Sequence, residues 1–246
     1  MVSKKIQLAC VWSAPVFIVL YAIAFVGISG FLPPPSPSLS AEQIASFFAE
    51  HRMAIRIGQV LSLVFSTLLF PFFAVISVQI ARIEKRLPVL AVIQFGAATL
   101  LIVYFQLCSM LWITATFRPE LDATAVRMLN DFSWLVFVMV APGYVFQMLC
   151  IALAAFRDTS PDPVWPRWAG YLCLWNALGG LGGAVAVFFK SGPFAWNGLI
   201  GIYLPLGAFV IWLGVMTYLM HTGIKRQNPD EQADTTADRH PPVSVS

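Results

Sequence analysis

The chain has 246 residues, is 59% hydrophobic, and carries 15 basic and 12 acidic residues for a formal net charge of +3. Charged residues are 11% of the chain and its mean hydropathy is +0.77, whereas soluble domains are about 25% charged. This composition excludes a disordered chain and a conventional water-soluble enzyme, and so small a net charge gives no support for a nucleic-acid partner. It predicts an all-α integral membrane protein whose first partner is the lipid bilayer.

Six apolar stretches are long enough to cross a bilayer, because a hydrocarbon core about 30 Å thick needs roughly 20 helical residues. They cover residues 8–30, 57–80, 89–112, 132–156, 169–189 and 198–220. None contains Asp, Glu, Lys or Arg, which agrees with the cost of about 2.5–3.5 kcal/mol for a charge at the bilayer centre. The first stretch exceeds the length of a signal-peptide core, so we expect it to be retained. We predict one six-helix membrane domain over residues 1–222 and a disordered cytoplasmic tail over residues 223–246.

The cations of the short loops predict the orientation, because cytoplasmic loops carry an excess of Lys and Arg. The side with both termini carries Lys4, Lys5, Arg82, Lys85, Arg86, Arg157, Arg167, Lys225 and Arg226, against Arg52, Arg56, Arg118, Arg127 and Lys190 on the other side. Both termini are therefore expected in the cytoplasm, and the lack of an Asn-x-Ser/Thr acceptor is compatible with a bacterial inner membrane. We expect Trp112, Trp134 and Trp196 at the outer interface and Trp12, Trp165 and Trp168 at the inner one.

Two short outer amphipathic helices are expected between the spans. Ser40 and Gln43 form a capping-box pattern, and the apolar residues after them recur at helical spacing. That helix would lie on the membrane surface, the favoured interpretation, or cover the bundle. The second helix would begin at Asp122 and run into the fourth span. Prolines near the middle of the even-numbered spans predict kinks there: Pro71, Pro142 and Pro205.

The sequence lacks the residues that most catalytic or redox sites within a membrane require. The histidines His51, His221 and His240 all lie outside the spans, so haem or di-iron ligation is not expected. No cofactor, metal ligand or catalytic residue is predicted. The only polar group that suits acid–base or metal chemistry is an outer cluster whose spacing fits no ligand pattern: Glu50, His51, Arg52, Arg118, Glu120, Asp122 and Asp131.

A polar stripe on the second span is the most promising internal feature. Gln59, Ser62, Ser66 and Ser77 fall close to one helical face, with Arg56 at its outer end. The stripe supplies either hydrogen bonds between helices, the favoured interpretation, or the polar wall of a cavity. Further ligand-binding candidates on other spans are Gln106, Tyr144, Gln147 and Asn176, and Asn176 shares a helix face with Gly179, Gly180 and Gly183.

Three functions are compatible with this sequence. The first is binding or transport of a lipophilic small molecule, with Arg56, Gln59, Ser62, Ser66, Gln106, Tyr144, Gln147 and Asn176 around the site. The second is a non-catalytic accessory or assembly subunit of a membrane complex, with a protein partner or a homo-oligomer. The third, which the sequence favours least, is a membrane enzyme that uses the outer polar cluster.

Overall fold

A computed structural model describes residues 3–85 and 87–227, and the secondary structure of this part of the chain is all helical, without a strand. Its α-helices are α1 (Lys4–Ala22), α2 (Ala41–Glu50), α3 (Arg52–Ser66), α4 (Leu69–Glu84), α5 (Val89–Phe117), α6 (Ala123–Val138), α7 (Ala141–Arg157), α8 (Arg167–Ala184) and α9 (Leu204–Arg226). They give six segments long and apolar enough to cross a membrane: Lys4–Ile28, Arg52–Glu84, Val89–Phe117, Ala123–Arg157, Arg167–Phe188 and Leu199–Arg226. The prediction of six long apolar helices is confirmed.

The three predicted prolines each lie in the first turn of a new helical segment. Pro71 is the third residue of α4, which follows α3 after residues 67–68, while Pro142 and Pro205 are the second residues of α7 and α9. A first-turn position suits Pro71 and Pro142 because a missing N–H has no acceptor within the helix there, whereas Pro205 follows the helical residues Leu199–Tyr203 after only Leu204. The second and fourth spans are thus each two α-helices rather than one.

The structure contains two π-helical turns that no sequence pattern predicts. Ile23–Ile28 continues α1, and Leu199–Tyr203 leads into α9. Each lies against a glycine of another helix, because a Cβ on Gly58 would come 2.5 Å from the Ala24 carbonyl oxygen and one on Gly182 would come 2.7 Å from the Ile200 carbonyl oxygen. Glycine therefore permits close backbone approach at both turns.

Helix α5 lies at the centre of the bundle, where it packs against α3, α4, α6 and α7. Helix α7 packs along α8, while α9 packs against α1 and α8. Between α9 and the central helices stand large aromatic side chains, and Phe105 and Phe209 have ring centroids 6.4 Å apart. This separation of α9 from α5 leaves room for the cleft described below.

The outer helix α2 packs onto the bundle. Ser40 Oγ accepts from the Gln43 backbone N–H, and the Gln43 side chain accepts from the Ser40 N–H, so the predicted capping box is present. Ile44 and Phe48 are buried as α2 packs against α6, which favours the covering interpretation over a helix lying free on the surface. The Ser40 hydroxyl and the backbone N–H of Glu42 lower the pKa of the Glu42 carboxyl.

Several helices begin or end beyond the predicted bounds, because polar groups extend them past the apolar stretches. Asp122 Oδ2 accepts from the Thr124 N–H at 2.9 Å and caps α6, which begins at Ala123. This start agrees with the predicted second outer helix, which runs into the fourth span. At the other end of the chain, α9 continues through Arg226, four residues into the predicted tail. Arg226 is held there by Asp162 at 3.1 Å. The rest of that tail, residues 228–246, lies outside the described residues.

A polar cluster joins the helices at the end of the bundle that carries both termini, and the sequence does not predict it. Gln79 Nε2 donates to Gln7 Oε1 at 2.8 Å, while Gln79 Oε1 accepts from Arg82 at 2.8 Å and from Gln227 Nε2 at 3.1 Å. Lys4 Nζ donates to the Gln227 carbonyl oxygen. These contacts tie α1, α4 and the end of α9 together.

Four of the six tryptophans expected at an interface are buried within the protein. Trp112, Trp134 and Trp165 are fully buried and Trp196 is nearly so, whereas Trp12 and Trp168 are about half exposed. Trp112 and Trp134 pack against each other with ring centroids 5.0 Å apart. Burial against other aromatic rings outweighs the interfacial preference at these positions.

Candidate functional site

The polar stripe of α3 faces the interior of the bundle. Gln59, Ser62 and Ser66 are all fully buried. Gln59 Nε2 donates to Ser29 Oγ at 3.0 Å, and Ser66 Oγ donates to the Leu63 carbonyl oxygen at 2.7 Å. Gln59 Oε1 and Ser62 Oγ have no hydrogen-bond partner in the part of the chain that the structure describes. The stripe thus supplies one bond between helices and leaves two polar atoms unpaired.

Arg56 ties the outer ends of α3 and α5 together instead of standing free at a cavity mouth. Its Nε donates to Thr116 Oγ1 at 3.2 Å, and its guanidinium also donates to the carbonyl oxygens of Thr116 and Phe117. The guanidinium therefore neutralises the unpaired carbonyl dipoles at the end of α5.

A second contact fixes the register of the two spans. Ser77 Oγ donates to Gln94 Oε1 near the inner ends of α4 and α5. Counted from these contacts along the antiparallel helices, Ser62 lies at about the level of Ser109, and Ser109 Oγ is likewise buried without a partner. Unpaired buried hydroxyls are unusual in proteins, so a water molecule or a ligand group is expected to satisfy them.

Tyr144 and Asn176 form a separate polar pair between α7 and α8. Tyr144 OH donates to Asn176 Oδ1 at 3.0 Å, and Asn176 Nδ2 donates to the Leu172 carbonyl oxygen at 3.0 Å. The predicted glycine face makes this possible, since a Cβ on Gly180 would come 2.7 Å from the Tyr144 ring. One turn further along α7, Gln147 is fully buried and neither of its side-chain polar atoms has a partner.

The eight candidate residues therefore do not line one wall. Four lie on α3 and three at the α7–α8 contact, while Gln106 is half-buried on α5 and belongs to neither group. Sequence periodicity groups residues on one helix, but it does not specify which helices face each other. Ser77 is also separated from the rest of the stripe, because it lies beyond the α3–α4 break and donates a hydrogen bond to Gln94.

An apolar cleft lies beside Tyr144, among α5, α6, α7, α8 and the start of α9. It has a volume of about 60 Å³ and is lined by Leu101, Phe105, Phe137, Val138, Val140, Tyr144, Gly180, Gly201, Ile202, Pro205, Leu206 and Phe209. No charged side chain is among them. Of the predicted site residues, only Tyr144 contributes, and its ring centroid is 5.8 Å from that of Phe209. The proline kinks are the one sequence signal that points to the cleft. Pro205 lines it, and so does Val140, which directly precedes the proline-containing first turn of α7.

An aromatic cluster closes the cleft toward the outer face. Phe25 stacks on Phe137 with centroids 5.1 Å apart, and beyond them Phe31 lies 4.7 Å from Trp112. These rings are buried. Access to the cleft from the end of the bundle that carries α2 is therefore blocked by packed aromatic side chains.

The outer polar residues proposed for enzymatic chemistry have local structural partners. His51 Nδ1 lies 3.0 Å from a carbonyl oxygen of α2, Arg118 and Glu120 form an exposed ion pair at 3.7 Å, and Asp122 caps α6. Within residues 3–85 and 87–227, no group of three His, Cys, Asp or Glu side chains is placed to hold a metal ion. The geometry thus gives these residues capping and surface roles.

Comparison with known proteins adds no homologue, because no family model, curated protein or solved structure matches the chain.

Proposed function

We propose that this chain is an integral protein of a bacterial inner membrane that holds a lipophilic small molecule in the apolar cleft. Membrane insertion is supported by the six long apolar helices and by the large hydrophobic side chains that cover their outer faces, such as Val92, Trp175 and Ile211. The excess of cations at the end that carries Lys4 and Arg226 supports cytoplasmic termini.

The observation that carries the binding function is the cleft itself. Its volume of about 60 Å³ is below the roughly 300–1,000 Å³ of typical ligand sites, so it accommodates one apolar group or a short acyl segment of a ligand rather than a whole drug-sized molecule. The lining is apolar apart from the Tyr144 hydroxyl, whose proton goes to Asn176, so that its oxygen keeps the capacity to accept. The ligand class is therefore an apolar molecule with one O–H or N–H donor.

The cleft also limits the mechanism. None of its lining side chains is ionisable near neutral pH, so it offers no carboxylate or lysine through which ligand movement would be coupled to protons or ions. Binding, or passive movement within the membrane, is the activity that these side chains support.

The test compares two tryptophan substitutions on α9. Leu206 lines the cleft, whereas Ile211 is 63% exposed on the lipid-facing side of the same helix. Each variant is purified in mild detergent from native membranes, and small molecules that remain bound are identified by mass spectrometry. Wild type and Ile211→Trp should retain the same molecule at about one per chain, and Leu206→Trp should lose it. Equal retention by all three proteins, or none by wild type, would contradict the proposal.

The second candidate function, an accessory subunit, is favoured by one surface of α8. Trp168, Tyr171 and Trp175 follow one another along that helix and are 51%, 56% and 72% exposed. Aromatic rings of this size suit a protein interface as well as lipid. A stoichiometric protein partner in the same purification would support this candidate.

A further inference from the structure

A second cleft, here named the outer cleft, lies between α6 and the connection from α8 to α9. It has a volume of about 250 Å³ and is lined by Pro37, Arg127, Asp131, Leu135, Ala186, Val187, Phe189, Lys190 and Trp196. Trp196 Nε1 donates to the Pro35 carbonyl oxygen at 2.8 Å, which fixes the proline-rich segment as one wall. Unlike the apolar cleft, this one combines charged and apolar sides.

The charges of the outer cleft are not paired with each other. Arg127 and Lys190 are exposed, and neither forms an ion pair with a carboxylate in the described part of the chain. Both cations act electrostatically on Asp131. Within the described residues, the Asp131 carboxylate accepts only from Asn130 Nδ2 at 3.3 Å, while Asn130 Oδ1 is buried without a partner. Two cations and one carboxylate are thus available to a ligand.

The outer cleft lies at the depth of lipid headgroups. The segment Ala123–Arg157 has 35 residues, about 52 Å at 1.5 Å per residue, whereas the hydrocarbon core is about 30 Å thick. Its first turns, which carry Arg127 and Asp131, therefore extend beyond the core. Leu135 lies one turn deeper and Val187 is half exposed, so apolar walls lead from the charges toward the acyl-chain region.

We propose that the outer cleft binds a phosphoethanolamine group, a phosphate ester that also carries an ammonium. The phosphate is held between Arg127 and Lys190, and the ammonium donates to Asp131. Because Asp131 repels an anion that brings no positive charge, the cleft selects this zwitterion over an anionic headgroup of similar size. The inference rests on the membrane placement proposed above, but not on the apolar cleft.

The test is native mass spectrometry of the full chain in detergent micelles that contain phosphatidylethanolamine or phosphatidylglycerol. Wild type should bind phosphatidylethanolamine more tightly. The double variant Arg127→Gln with Lys190→Gln should bind it about tenfold or more weakly, because two charge-assisted hydrogen bonds are lost. Both side chains are exposed, so the fold should persist, which a melting curve checks. Arg118→Gln is the matched control, since this outer cation pairs with Glu120 outside the cleft.

Asp131→Asn separates recognition of the zwitterion from general attraction of anions. This variant should lose the preference and bind phosphatidylglycerol at least as well as phosphatidylethanolamine. Water-soluble O-phosphoethanolamine added to wild type distinguishes the source, because displacement of the lipid supports a soluble ester and no displacement supports a membrane lipid. Equal binding of both lipids by wild type, or unchanged binding by the double variant, would overturn the proposal. Such a result would leave the apolar cleft untouched, since Leu206→Trp tests that site separately.

Discussion

The substitution Gly58→Ala tests whether α3 packs directly on the π-helical turn of the first span. An alanine Cβ at this position would come 2.5 Å from the Ala24 carbonyl oxygen and 2.9 Å from the Ser29 backbone nitrogen, and it would overlap the Ser29 hydroxyl. Ordinary contacts are about 3.4–4 Å, so α3 must retreat by about 1 Å. Overpacking of this kind costs about 1–3 kcal/mol, and loss of the bond from Gln59 to Ser29 adds about 0.6 kcal/mol.

The matched control is Gly214→Ala, since an added Cβ on Gly214 meets no atom within 4 Å. Alanine is favoured over glycine inside a helix by about 1 kcal/mol, and this gain applies to both variants. Melting in detergent should therefore separate them by roughly 5–10 °C, given about 2–4 °C per kcal/mol for a chain of this size. Gly58→Ala melting at or above the temperature of Gly214→Ala would refute the packing described here.

Three further outcomes are expected. In a double-mutant cycle, Tyr144→Phe and Asn176→Leu should cost less together than the sum of their separate losses, by about 0.6–1.7 kcal/mol, because they remove one shared hydrogen bond; additive losses would deny that bond. Gln147→Leu should leave the melting temperature unchanged or raise it, since it removes two buried polar atoms without partners, and a clear drop would show that a bound water or ligand had satisfied them. A reporter active only in the periplasm should stay inactive when fused after Lys225, and an active fusion there would reverse the proposed orientation.

The sequence predicts those features of the fold that depend on local composition. The six apolar helices, the capping box at Ser40, the start of α6 after Asp122 and the breaks before Pro71 and Pro142 all follow from residues near each other in the chain. Such features need no knowledge of which helices are neighbours.

The candidate site was harder to predict because it depends on contacts between distant helices. Gln59 and Tyr144 were both selected as buried polar residues, yet their partners, Ser29 and Asn176, lie in different parts of the bundle. The apolar cleft escaped prediction because its lining is chemically the same as ordinary membrane-helix packing. The burial of Trp112 within the protein is hard to predict for a related reason, since no local pattern separates an aromatic ring in the interior from one at an interface.

The most direct test of the central claim is an experimental structure of the chain in a nanodisc of native lipids, at a resolution that shows side chains. The account predicts non-protein density in the apolar cleft, beside the rings of Tyr144 and Phe209, with a polar atom within hydrogen-bond distance of the Tyr144 hydroxyl. A cleft that is empty of such density, or that is closed by movement of α9 against α5, would contradict it.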